Sequence, residues 1–79
     1  MVETRIAPRF RTAKAASIEY DSEKVDCVVR DLSATGSALE VANAGAIPVK
    51  FALVIPEAGL NLPCRVVWRR GFRLGVTFE

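Results

Sequence analysis

The sequence contains no histidine. That removes the commonest general base and the one side chain that ordinarily changes charge near neutral pH. Cysteine is scarce. Cys27 and Cys64 are the only two, they lie far apart in strand-like runs, and the paired Cys/His sets that hold zinc are missing. Isolated thiols in apolar runs are expected to be buried and reduced. Aromatics are few: one Trp, one Tyr and four Phe. Small barrels that bind single-stranded nucleic acid stack bases on several exposed rings, and only Phe10, Tyr20 and Phe72 could serve here. No apolar run approaches the roughly 18–20 residues of a membrane span; the longest, "FALVI" at 51–55, has the length of a strand. The opening "MVETRIAPRFR" is charged where a secretory leader is apolar, so the expected location is cytoplasmic. No serine sits in a nucleophile elbow, and no glycine-rich loop leads into a helix. The carboxylates Asp21, Glu23 and Asp26 belong to a polar turn. An enzyme is not expected.

What is present suits one small domain. The chain has 79 residues, 51% of them hydrophobic, with a net charge of +2. That composition can bury a core and argues against disorder. The charge is unevenly spread. Arg5, Arg9, Arg11 and Lys14 face only Glu3 in residues 1–14, and Arg65, Arg69, Arg70 and Arg73 face only Glu79 in residues 65–79. The segment between them is acidic. Joined in the fold, the two ends would form a cationic surface suited to a phosphate-bearing partner; held apart, they are solvated strand faces.

Period-two alternation dominates. Pro8 biases Ala7 toward an extended backbone, and residues 1–12 read as an extended, flexible arm ahead of a domain at 13–79. Ala16, Ile18 and Tyr20 mark one strand, and Val25, Cys27 and Val29 a second, joined by "DSE". Ser37, Leu39 and Val41 share one face of a third strand. Val49, Phe51, Leu53 and Ile55 do so in a fourth, which Pro56 stops. In the fifth, the alternation places Cys64, Val66 and Trp68 on one face, with Arg65 and Arg69 on the other; Trp68 is thereby expected in the core or packed at its rim. Leu74, Val76 and Phe78 line the sixth, after a turn at Gly71. Six short strands without a helical period predict an all-β domain, and a small six-stranded antiparallel β-barrel is the arrangement that leaves no exposed sheet edge.

Two short patterns carry chemistry. Arg5 and Arg9 are spaced R-x-x-x-R. In an extended arm they lie about 13 Å apart on one side, and each guanidinium can grip a phosphate or the O6/N7 edge of guanine bidentately. The second pattern is "DLSATG", Asp31-x-Ser33-x-x-Gly36. A carboxylate accepts from guanine N1–H and N2–H, a hydroxyl donates or accepts at a base edge, and glycine permits close approach. The same residues also suit a plain turn in which Asp31 and Ser33 bond their own backbone and Gly36 marks a bulge.

Taken together, the R-x-x-x-R arm, an intervening hairpin, D-x-S-x-x-G, "RVVWRR" and the closing "RLGVTFE" resemble the PilZ family from about Arg5 to Glu79. That resemblance implies a six-stranded barrel binding the bacterial second messenger cyclic di-GMP, with no cofactor. It implies that Arg5 and Arg9 contact phosphate and guanine from the arm, and that Asp31, Ser33 and Gly36 hold guanine on the barrel surface. Binding would fold the arm over the ligand and alter a surface read by a downstream protein. Many members carry a second arginine where this chain has Thr4, which implies a weaker site and a stacked ligand pair less favoured than a single molecule, with the number bound left open. Longer relatives continue into a helix, for which no residues follow Glu79. Two rival readings stand beside it. One is a ligand-independent interaction module that keeps the motif for structure. The other is a nucleic-acid-binding barrel, disfavoured by the shortage of aromatics.

Overall fold

The computed structural model describes residues 10–79, with side chains from residue 13 onward. Its strands are β1 (Phe10–Tyr20), β2 (Glu23–Leu32), β3 (Gly36–Glu40), β4 (Lys50–Ile55), β5 (Leu60–Arg70) and β6 (Arg73–Phe78). All pair antiparallel, in the order β1-β2-β3-β6-β5-β4, and β4 returns to β1 to close the barrel. This is the architecture expected from the alternation. Every strand has two neighbours, and the closing β1–β4 seam is short, running from Ser17↔Val54 to Glu19↔Ala52.

Alternate residues fill the interior. Ile18, Val29, Leu39, Leu53, Ile55 and Leu74 have no exposed surface, and Cys27, Phe51, Cys64 and Val76 pack among them. Burying each large aliphatic contributes about 2 kcal/mol. Two single-turn 3₁₀ segments complete the ends. The crossover from β3 to β4 lays Ala44–Ala46 over one mouth, burying Val41, Ala44 and Ile47. At the other mouth, Pro56–Ala58 joins β4 to β5, and Lys14 reaches Glu57 at 3.6 Å.

Turn geometry sets the hairpins. Asp21 and Ser22 both have positive φ, 45° and 64°. That is the type I′ pattern whose twist matches paired strands, here built without glycine. Gly71, with φ 59°, begins the two-residue β5–β6 turn.

Three details depart from simple alternation. First, β1 begins at Phe10, because its backbone ladder continues through Arg11↔Asp31 to Phe10↔Leu32. Residues 10–12 of the expected arm therefore belong to a strand, and the rest of it, with Arg5 and Arg9, lies outside the described residues. Second, Val49 is 54% exposed rather than inward; it precedes β4 and offers its carbonyl to the Val66 amide at 2.8 Å. The third departure is the register of β2 and β5.

Candidate functional site

Each of these two strands carries one extra residue. On the β2–β3 ladder, Val29 pairs with Leu39 but Asp31 pairs with Ala38, so Arg30 is inserted. On the β5–β6 ladder, Val66 pairs with Val76 but Trp68 pairs with Gly75, so Val67 is inserted. A bulge shifts the side-chain period by one, and residues beyond it exchange faces. Asp31 is thereby turned outward. Trp68 also turns outward, contrary to its expected place beside Cys64 and Val66, and stands 45% exposed. Arg69 instead takes the side of the strand that the fully buried Leu74 occupies, but it lies near the end of β5 and stays exposed.

The two bulges assemble a row across four strands: Asp31 on β2, Ala38 on β3, Gly75 on β6 and Trp68 on β5. The middle of the row is low because its residues are small. Trp68 lies over Gly75, and a Cβ on that glycine would collide with the indole atoms Nε1, Cε2 and Cδ1. The result is a trough of about 270 Å³ on the outer wall, lined by Asp31, Ser33, Gly36, Ala38, Trp68 and Thr77 among others.

One end of the trough is the loop between β2 and β3, organised by Ser33. Its hydroxyl oxygen accepts from the amides of Thr35 (3.3 Å) and Gly36 (3.2 Å), and its hydroxyl reaches the Gly36 carbonyl at 3.2 Å. The Ser33 amide donates to that same carbonyl at 2.9 Å. Thr35 offers its carbonyl to the Phe78 amide (2.9 Å) and the Thr77 hydroxyl (3.2 Å), tying the loop to β6. The Ser37 hydroxyl donates to the Asp31 carbonyl at 2.5 Å. Gly36 is needed for space: a Cβ there would strike the Val76 carbonyl oxygen.

A family model for the PilZ domain matches residues 3–79. The chain belongs to the PilZ domain family. No curated protein matches it. PilZ domains are binding and adaptor modules of a family that binds cyclic di-GMP. In this PilZ barrel, three of the five residues singled out in the sequence, Asp31, Ser33 and Gly36, come together at one trough. Sequence reasoning favoured packing over ligand stacking for Trp68 and missed Ala38 and Gly75. A signal for them existed: the doubled valine of "RVVW" interrupts the alternation one residue before the tryptophan, where a bulge would sit.

Several described cations of the PilZ barrel are engaged, Lys14 with Glu57 among them. Arg30 meets Glu40 at 3.6 Å, Arg65 meets Glu79 at 3.0 Å, and Arg69 donates to the backbone carbonyls of Ala44 and Ile47, both at 2.6 Å. Of the basic residues near the amino terminus, only Lys14 has a described side chain. Cys27 and Cys64 are free and buried. Burial, aided by the nearby charge of Asp26, pushes the Cys27 thiol up to about 11. Burial likewise pushes Cys64 up to about 11, partly opposed by a backbone hydrogen bond from Leu53. Both stay protonated and inert at neutral pH. Among the described residues no cluster of His, Cys, Asp or Glu could hold a metal, and no helix is long and apolar enough to cross a membrane.

Proposed function

We propose that this PilZ domain is a cytoplasmic receptor for cyclic di-GMP that signals to a partner protein. The observation that carries the reading is the trough itself, where Asp31, Ser33 and Gly36 of the D-x-S-x-x-G segment share a lining with the half-exposed Trp68. Asp31 accepts from the N1–H and N2–H of guanine, and Trp68 gives the base a stacking surface. Ser33 acts mainly by holding the loop in shape, and Gly36 by keeping the floor thin. Arg5 and Arg9 contact phosphate and guanine. Phe10, directly after Arg9 in sequence, pairs with Leu32 at the edge of the trough, which puts the start of β1 beside the site. Thr4, in place of a second arginine, disfavours a stacked pair of ligand molecules.

One observation favours a second reading, the ligand-independent interaction module. Ser33 and Gly36 each have a full structural explanation within the barrel. Calorimetric titration with cyclic di-GMP, with GMP and GTP as controls, separates the two. Selective binding at micromolar or tighter affinity, lost in Arg9→Ala and Asp31→Ala variants that keep their fold, is the expected result. An absence of heat and of thermal stabilisation in the wild type would overturn the receptor reading and favour the interaction module.

A further inference from the structure

We propose that Arg69 is a positioning residue for the trough, acting from the mouth of the barrel through the Val67 bulge. Its effect on ligand affinity rests on the trough being the ligand site; its effect on Trp68 does not.

Consecutive strand residues point to opposite faces. Trp68 and Arg69 therefore cannot be set independently. With Val67 bulged, Trp68 lies outward over Gly75 and Arg69 takes the side of the strand that Leu74 occupies. In a regular ladder Trp68 would join Cys64 and Val66 inside, and Arg69 would take the outer face, away from the crossover. At this end of β5 the Arg69 side chain stays exposed, reaching over the mouth rather than into the core. Here the Nη1 of Arg69 meets the carbonyls of Ala44 and Ile47, both at 2.6 Å. These belong to the crossover that covers the mouth of the barrel, and Ala44 otherwise accepts only a long turn bond from the Ile47 amide, 3.4 Å. Charge-assisted bonds of this kind are among the stronger ones in proteins. They reward the register that delivers Trp68 to the outer wall, so the crossover and the trough are coupled through one side chain. By reciprocity, a ligand that holds Trp68 in place tightens the crossover.

Trp68 is the only tryptophan, so its emission and acrylamide quenching report its placement directly. Arg69→Ala is expected to change both in the folded protein, to speed amide exchange at Ala46 and Ile47, and to weaken cyclic di-GMP binding about tenfold. Arg69→Lys, which keeps a cationic donor, restores part of each effect. If Arg69→Ala does not fold, Arg69→Gln carries the same comparison, since it keeps a donor but loses charge and reach. A variant that melts earlier yet leaves Trp68 quenching unchanged would overturn the proposal, reducing Arg69 to a tie for the crossover. If the wild type binds no cyclic di-GMP, the receptor reading fails while the quenching comparison still decides the role of Arg69.

Discussion

Replacing Gly75 with alanine adds one methyl group to the floor of the trough. That methyl falls where the indole of Trp68 now lies. The β6 backbone is locked between two ladders and cannot retreat, so the ring must move. Trp68 is 45% exposed, and a little over half of its surface is covered by the wall beneath it. For a side chain of this size the covered part is roughly 120 Å², worth about 3 kcal/mol if lost entirely. The displaced ring will re-cover some of it, so a loss of about 1–2 kcal/mol is expected. In a domain this small that lowers the melting midpoint by about 5–15 °C. Emission from the single tryptophan should shift to the red, and its acrylamide quenching should rise. Cyclic di-GMP affinity should fall with it, because the wall bordering the trough has been displaced. Ala38→Gly, a neighbouring change on the same floor that pushes on nothing, serves as the control. An alanine variant with wild-type emission and an unchanged midpoint would refute the placement of Trp68 over Gly75.

The turns, the loop and the thiols of this barrel each give a further test. Ser22→Gly should stabilise the protein by about 0.5–1 kcal/mol, because Ser22 holds a left-handed backbone that glycine adopts freely; denaturant unfolding checks this, and a loss of stability would contradict the turn assignment. Ser33→Ala should cost about 1–2 kcal/mol and speed amide exchange at Thr35 and Gly36, whose donors lose their acceptor; unchanged exchange would show that the loop is held by other means. The thiols give a pH signature. Their folded values lie near 11, above the ordinary 9.0, so the folded state retains protons that the unfolded state releases. Stability is therefore unaffected by them below about pH 9 and declines as pH rises toward 11; Cys27→Ala and Cys64→Ala should each flatten that decline in a pH series of melts.

The parts of this barrel that were legible in the sequence are those obeying strict alternation. β3 and β6 read directly, because Leu39, Leu74 and Val76 alternate with small or polar neighbours and nothing interrupts them. The closing of the sheet was legible because six amphipathic strands of this length cannot leave edges exposed. The bulges at Arg30 and Val67 were not, since a bulge is a local shift of period that takes its energy from tertiary partners: the crossover carbonyls for Arg69, the bare Gly75 for Trp68. This is why Trp68 and Arg69 exchanged faces relative to the simple pattern. The loop was legible in composition but ambiguous in purpose. Ser33 and Gly36 satisfy the needs of the backbone, and only the outward Asp31 and the neighbouring indole give that loop something to hold.

The row that crosses the wall also acts as a ruler. Asp31 and Trp68 sit on strands three ladder steps apart, and adjacent strands are about 4.8 Å apart, so their backbones lie roughly 14 Å from each other along the wall. That span comes from strand order, not from side-chain choice. Point substitutions can alter what is gripped at either end, but none can change the length between the grips. A variant of this barrel that took a much longer or shorter molecule across the same row would need a different number of strands between its bulges.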